Sequence, residues 1–318
     1  MSNPPFLPAS SRAVRFDQYG GREVLSVRDV DLPRPGADEV LVEVRAAGIN
    51  PGEALIRSGA LHEWLPATFP SGEGTDFAGV IVETGSGVHG FAPGDEVFGF
   101  SWTRSSHARH TVVPAAQVLP KPTGLSWEVA GSLDVVGTTA VAAVRSINPG
   151  SNDVVAVSAA TGGVGTLVVQ LLVQHGATVL GIASSTNADW LVAHGVTPVE
   201  YGDGLEERLR AAAPNGIDAF IDLFGPDYVR LAVRLGVPAD RINTIVVSDA
   251  AHELGVHMDG GGALSFEEAH AALRQLAEML AAGALVLPIA ATYPLDRVAD
   301  AFEELERRHS FGKIALIP

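Results

Sequence analysis

From Val154 the chain reads Val-Val-Ala-Val-Ser-Ala-Ala-Thr-Gly-Gly-Val-Gly and then continues to Gln174 without a charged residue. Four apolar residues of strand character run into a turn of small residues, and the turn opens an apolar stretch of helical length. A strand apolar on both faces must be covered on both, which calls for an α/β fold with a parallel sheet. Free N–H groups and the helix dipole at such a helix start favour an anion, and small side chains let the backbone approach it. The pattern is A-x-x-G-x-x-G where G-x-G-x-x-G is usual, and its strand–turn–helix context marks a dinucleotide pyrophosphate site. Ala160, Gly162, Gly163 and Val164 are its candidate contacts. The alternative is a glycine turn that merely packs the helix on the sheet.

The surrounding text agrees with a doubly wound sheet. Strands are expected at Thr178–Ile182 and Ala219–Asp222, with a helix ending before Gly176 and another near Asn187–His194. Ser265 and Glu268 form a capping box for a helix ending near Gly283. Leu285–Ile289 then reads as a strand, Leu295–Arg308 as a helix and Lys313–Ile317 as a closing strand. Upstream of Pro120-Lys121-Pro122 the text changes to short β-like runs between turn clusters: Val24–Val30, Val40–Ala46, Gly79–Glu83, Glu96–Phe100 and His110–Val113. Met1–Ser11 lacks the basic and apolar regions of a secretion signal and reads as a loose tail. At 318 residues two domains are expected, a β-rich one formed by 1–128 with 285–318 and a nucleotide-binding one formed by 129–284.

Composition removes whole classes of function. There is no cysteine, hence no thiolate zinc site, thiol nucleophile or disulfide. A net charge of −16 repels nucleic acid and anionic membranes. No stretch is apolar for long enough to span a bilayer. His107 and His110 stand three apart, a spacing that sends strand side chains to opposite faces, and no Gly-x-Ser-x-Gly elbow occurs. The strand Thr178–Ala183 is followed by Ser184-Ser185-Thr186-Asn187, with no acid to repel a ribose 2′-phosphate. Hydroxyl donors there lean toward NADPH, with NADH possible, although the turn holds no Lys or Arg; plain helix capping is the other reading of Ser184 and Ser185.

A series of motifs then appears in one order: Ala47-Gly48-Ile49-Asn50-Pro51, Gly74-Thr75-Asp76-Phe77-Ala78-Gly79-Val80, Pro93-Gly94-Asp95-Glu96-Val97, Gly137-Thr138-Thr139-Ala140, Ile217-Asp218-Ala219-Phe220-Ile221-Asp222 and Gly312-Lys313-Ile314. With these the chain, from about Arg12 to Pro318, resembles the quinone oxidoreductase branch of the medium-chain dehydrogenases/reductases. The resemblance implies a GroES-like barrel domain beside a Rossmann domain. Zinc-dependent relatives carry cysteine at the place of Asn50 and histidine at that of Thr75, so the resemblance implies a zinc-free enzyme with Asn50 beside the nicotinamide. It further implies cofactor contacts from Thr139, Ser184, Ser185, Tyr201, Phe224, Gly225, Val246 and Val247. The family's lysine after the Ser-Ser pair is Ala188 here.

The implied reaction is hydride transfer from NADPH to a quinone or an α,β-unsaturated carbonyl bound between the domains. Asn50 would donate a hydrogen bond to the developing oxyanion, and Glu53, Trp64, Phe98 and Trp102 would wall the substrate pocket; for the aromatics ordinary core packing is the alternative. A cytoplasmic homodimer is expected, without nucleic-acid or membrane partners. The rival readings are a non-catalytic nucleotide-sensing protein and a zinc-requiring alcohol dehydrogenase.

Overall fold

A computed structural model describes residues 7–307 and 310–318. They form two compact units, residues 1–135 with 289–318 and residues 136–288. The expected boundaries were 128/129 and 284/285.

The first unit is built from β1 (Ser10–Phe16), β2 (Ser26–Asp31), β3 (Glu39–Gly48), β4 (Ser71–Gly72), β5 (Asp76–Thr84), β6 (Glu96–Phe100), β7 (His110–Pro114) and β8 (Val118–Pro120), with the short helices α1 (Pro51–Arg57) and α2 (Trp127–Ala130). β1 pairs with β2 and β4 in a small antiparallel sheet. β3 organises the rest: β5 lies along one side, and β7 pairs with its first half, Glu39–Glu43, on the other. Val40, Val42, Val44 and Ala47 of β3 pack with Phe77, Ile81, Val97 and Val113 into the barrel core. Ser10 and Ser11, read as part of a tail, belong to β1. Ser11 pairs with Val30, and its Oγ lies 3.0 Å from His110 Nδ1, which fixes it to the barrel. Of the rest of that reading, residues 1–6 lie outside the described residues, and residues 7–9 lead into β1, where the Ala9 carbonyl accepts from the Leu32 N–H at 3.1 Å.

The second unit follows the alternation expected of it. α3 (Asp134–Ser146) leads in from the first. Then come β9 (Val154–Val157), α4 (Gly163–Gln174), β10 (Thr178–Ala183), α5 (Ala188–Ala193), β11 (Thr197–Glu200), α6 (Leu205–Ala212), β12 (Ala219–Asp222), α7 (Pro226–Arg234), β13 (Ile242–Thr244), α8 (Asp249–Leu254) and α9 (Phe266–Ala281). The five strands are parallel in the order β11-β10-β9-β12-β13. The chain starts in the middle, winds outward through β10 and β11, and returns to β12 on the other side. This leaves a topological switch point between β9 and β12, where open α/β sheets bind ligands.

Of the expected strand Leu285–Ile289 only Ile289 lies in one, at the start of the strand that follows; residues 285–288 do not. Leu285 and Leu287 are buried and Val286 is exposed, as strand alternation requires. The backbone of Val286, however, exchanges both its hydrogen bonds with the side-chain amide of Gln170, 2.9 and 2.8 Å, so a glutamine on α4 satisfies what a neighbouring strand would have. The chain returns to the first unit as β14 (Ile289–Pro294), α10 (Val298–Glu306) and β15 (Lys313–Ile317). Leu295–Arg297, expected within that last helix, form a 3-10 turn before it, and Arg308 lies outside the described residues. β15 pairs parallel to β14 and antiparallel to the end of β3, at Ala47 and Gly48, placing Lys313 next to the chain that leaves β3.

Candidate active site

Leaving β3, the chain reaches Asn50, which caps α1 and is 4% exposed. Its amide is held at both ends. Oδ1 accepts from Lys313 Nζ at 2.6 Å, and Nδ2 donates to Asp76 Oδ2 at 3.2 Å, with longer contacts of 3.4 Å to Thr75 Oγ1 and 3.5 Å to Glu53 Oε1. Lys313, itself buried, also donates to the Ile49 carbonyl at 2.7 Å. With the ammonium at the oxygen and the carboxylate at the nitrogen, only one orientation of the amide satisfies both partners.

Glu53, one turn into α1, accepts from the Asn50 backbone N–H at 2.9 Å, from the Thr75 N–H at 2.9 Å and from Thr75 Oγ1 at 2.9 Å. It thus fastens α1 to the start of β5. Next to it, His107 is wholly buried, its Nε2 3.3 Å from the Gly48 carbonyl and its Nδ1 without a hydrogen-bond partner among the described residues. His107 precedes β7 and His110 opens it; both turn inward, His110 toward Ser11 and His107 toward Gly48. A Cβ at Gly74 would lie 2.2 Å from the His107 ring, so glycine is required there.

Burial shapes the electrostatics. It pushes Asp76 up to about 6, reinforced by the nearby Glu53 and opposed by Lys313 and Asn50. Asp134, at the start of α3, is pushed up to about 8 by burial and by the charge of Asp76, whose Oδ1 accepts from the Val135 N–H at 3.2 Å. Burial lowers the affinity of Lys313 and His107 for a proton. Glu73 is raised to about 8 by burial although it is ion-paired with the buried Arg57, whose guanidinium lies 4.2 Å over the Phe302 ring.

The aromatic residues assigned to the pocket wall divide. Phe98 has no accessible surface, and on β6 it is core. Trp64 and Trp102 are 72% and 70% exposed. Their loops are joined by Arg104, which donates to the carbonyls of Leu65 and Pro66.

In the second unit Thr139 lies within α3, while the other assigned residues follow the C-terminal ends of the strands. After β9, Ser158 Oγ donates to Asp222 Oδ1 at 2.7 Å, and Thr244 Oγ1 donates to Asp222 Oδ2 at 2.7 Å. The N–H groups of Phe224 and Gly225 also point at Asp222, so this buried carboxylate draws the ends of β9, β12 and β13 together, and the Val246 N–H bonds to Thr244 Oγ1 at 3.1 Å. Ala159 turns the chain with a left-handed φ of 46°. Ala160 is buried and donates its N–H to the Ile182 carbonyl, which removes that amide from the anion contacts expected of it.

Gly162 caps α4 with no side chain over the helix end, and the first intrahelical bond runs from Thr166 back to Gly162. The amides of Gly163, Val164 and Gly165 are left in the first turn without an intrahelical partner. A Cβ at Gly165 would fall 2.1 Å from the Ala159 carbonyl oxygen, whereas one at Gly162 would meet only that oxygen, at 3.4 Å. The first of these glycines is needed for packing, and the other keeps the turn open. Ser184 and Tyr201 leave neighbouring strands side by side, with the Tyr201 N–H 3.4 Å from the Ala183 carbonyl.

Residues 36–123 match the alcohol dehydrogenase GroES-like domain, and residues 129–316 match the zinc-binding dehydrogenase domain. The chain belongs to the medium-chain dehydrogenase/reductase family. Its likeness to other members is continuous: it is 30% identical to the quinone oxidoreductase of Rattus norvegicus over 95% of both chains. It is also 29% identical to the human NAD(P)H oxidoreductase RTN4IP1, mitochondrial, over 95% of this chain and 87% of that one. The solved quinone oxidoreductase of Coxiella burnetii superposes with a TM-score of 0.87 at 28% identity, covering 97% and 99% of the two chains. Within this family of oxidoreductases, the present chain has an amide and a hydroxyl, Asn50 and Thr75, beside a buried ammonium. Among the described residues no group of three or more His, Asp or Glu side chains is placed to hold a metal ion, and no helix is long and apolar enough to cross a membrane.

Sequence reading missed Asp76, Lys313 and Asp222 as structural centres, though all three lie in the quoted motifs. The available signal was charge placed at the end of an apolar run: Asp76 before Phe77-Ala78, Lys313 before Ile314–Leu316, and Asp222 after Ala219–Ile221.

Proposed function

We propose that this chain is an NADPH-dependent, zinc-independent reductase that transfers hydride to a quinone or an α,β-unsaturated carbonyl. The observation that carries the reading is the uncapped glycine turn at the switch point of the parallel sheet, with the amides of Gly163, Val164 and Gly165 in the open first turn of a twelve-residue helix. That arrangement fits a pyrophosphate. Gly162, Gly163 and Val164 would hold it, Ser184, Ser185 and Tyr201 the adenosine ribose, and Thr139, Phe224, Gly225, Val246 and Val247 the remainder. When bound, a reduced nicotinamide supplies the hydride.

The chain's own groups then serve orientation and charge. One N–H of Asn50 is committed to Asp76 at 3.2 Å, while the contacts to Thr75 and Glu53 are longer, so the second N–H remains available to a developing oxyanion. Glu53 acts by fixing Asn50 and Thr75. Trp64 and Trp102 remain the aromatic groups available to a flat acceptor. The ammonium of Lys313, bonded to Asn50 Oδ1, disfavours a divalent cation at that oxygen.

Oxidation of NADPH across a panel of quinones and enones, after treatment with a chelator, tests the reading. Turnover that survives chelation is expected. Nucleotide binding without turnover across the panel would make the chain a nucleotide-sensing protein, and turnover of alcohols restored by zinc would make it an alcohol dehydrogenase. The same reading expects a cytoplasmic homodimer, which light scattering and cell fractionation check.

A further inference from the structure

The turn after β10 carries hydroxyls and no cation, yet a ribose 2′-phosphate needs positive charge as well as donors. A guanidinium arrives from a different element. Arg208, on α6, folds back over the loop that follows β11. Its Nε donates to the Glu200 carbonyl at 3.0 Å and one terminal nitrogen to the Asp203 carbonyl at 2.8 Å. The other donates to the carbonyls of Glu200, Tyr201 and Gly202 at 2.8, 3.3 and 3.3 Å. All of these partners are backbone oxygens, and among the described residues Arg208 makes no ion pair. Its neighbours on the same helix differ: Arg210 is paired with Glu206, which also takes Arg234.

The loop that Arg208 grips adjoins the Ser184–Ser185 turn. Ala183 and Glu200 are register partners in the β10–β11 ladder, and the Tyr201 N–H reaches the Ala183 carbonyl, so Tyr201 and Ser184 emerge about 5 Å apart, the spacing of paired strands. Ser184 uses its hydroxyl to cap the Thr186 N–H. The Ser185 hydroxyl is exposed and has no hydrogen-bond partner among the described residues. A half-buried cation bonded only to backbone carbonyls among the described residues thus holds the loop of an exposed tyrosine, next to the turn that carries a free hydroxyl.

We infer that Arg208 is the specificity-determining cation for the 2′-phosphate of the nucleotide, supplying from α6 the charge that the β10 turn lacks. The inference rests on the dinucleotide reading of the second unit. The acidic residues of the same loop and helix are Glu200, Asp203 and Glu207, all exposed, and among the described residues none of their carboxylates forms an ion pair with Arg208. Solvent and salt screen them, whereas contact with a guanidinium is direct.

Calorimetric binding of NADP+, NAD+ and 2′,5′-ADP to the full chain tests the inference without any acceptor present. The unchanged protein is expected to bind NADP+ tighter than NAD+, by a margin that shrinks with added salt. Arg208→Gln is expected to weaken NADP+ and 2′,5′-ADP by about tenfold, the loss of one charge-assisted contact, and to leave NAD+ within about twofold. Arg208→Lys, which keeps charge but not the planar fork, should fall between.

Equal weakening of NADP+ and NAD+ in Arg208→Gln would show that Arg208 only clamps its loop, and would overturn the inference. So would an unchanged protein indifferent to the 2′-phosphate. If neither dinucleotide binds to the unchanged protein, the dinucleotide reading falls and the inference with it. If both bind and only the acceptor panel fails, the reductase reading falls and the role of Arg208 stands.

Discussion

The surroundings of Asn50 and the turn at Ala159–Gly165 are built in opposite ways. Around Asn50, the side chains of Glu53, Thr75, Asp76 and Lys313 are bonded to one another or to backbone in a space almost closed to solvent. At the turn five of the seven side chains, all but Thr161 and Val164, are hydrogen or methyl, and the backbone is what is presented. The first region orients a single amide by surrounding it with charge. The second orients several amides by ending a helix. The difference predicts how each should fail: the former through uncompensated charge, the latter through bulk.

Lys313→Met should break the first region most severely. It removes the ammonium on Asn50 Oδ1 and the charge that opposes the rise of Asp76. Deleting one partner of a buried charge network costs about 3–5 kcal/mol, and denaturant unfolding should report a loss of that order. Asp76 should respond by holding its proton to higher pH. A loss below about 1 kcal/mol, the range of an exposed ion pair, would show that the network is not a charge-balanced unit.

The corresponding change in the second region is Gly165→Ala, which adds a single carbon. That carbon would meet the Ala159 carbonyl at 2.1 Å, and because the obstacle is backbone the turn or α4 must move. About 2–3 kcal/mol of destabilisation is expected, the upper range for overpacking, together with loss of nucleotide binding. Gly162→Ala, which meets that oxygen only at 3.4 Å, should cost much less stability and so separates packing from access. If both variants bind nucleotide as the parent does, the turn is not the phosphate site.

These contrasts also explain what could be read in advance. Backbone-built sites leave a local trace, since glycines at fixed spacing between an apolar strand and an apolar helix are contiguous in the chain. The turn and the strand–helix alternation around it were legible for that reason. The network at Asn50 joins residues 50, 53, 75, 76 and 313, and no local pattern links a carboxylate opening one strand to an ammonium opening another 237 positions later. Phe98 was misplaced for a related reason, because an aromatic on a strand looks the same whether it faces a pocket or a core. The segment Leu285–Pro288 has strand periodicity, and only the Gln170 amide, 116 residues away from Val286, reveals that its partner is a side chain.

Proton linkage sharpens the comparison from another side. Asp76 and Asp134 have folded-state values of about 6 and about 8 against an ordinary 3.8, and Glu73 about 8 against 4.5. Raised carboxyls mean that the folded state binds more protons than the unfolded one between those limits. Stability should therefore fall as pH rises from about 4 to about 8 and change little beyond, through these groups. Asp134→Asn should reduce the slope across the whole window, with the largest relative change between about 6 and 8, where of the three carboxyls only Glu73 is left to contribute. Buried His107, whose affinity for a proton is lowered, contributes with the opposite sign, so the comparison is between urea midpoints of the parent and Asp134→Asn; a difference between them that does not change with pH would contradict a proton-retaining carboxyl at Asp134.

The smallest effects are expected where the second unit does use side chains. Ser184 is committed to its turn, accepting from the Thr186 N–H at 3.3 Å and donating to Thr186 Oγ1 at 3.2 Å, while the neighbouring Ser185 hydroxyl is unused. Ser184→Ala should therefore lower stability by about 0.5–1 kcal/mol, the usual loss of a cap, and Ser185→Ala should not change it measurably. For nucleotide binding the order should reverse, because a hydroxyl already bonded within its own turn has less to offer a phosphate oxygen than one that is free. Thermal melts and NADP+ titrations on the two variants would show this crossing. If Ser184→Ala weakens NADP+ more than Ser185→Ala does, the cap must open on binding, and this corner of the second unit would behave as the network around Asn50 does, through side chains that exchange partners.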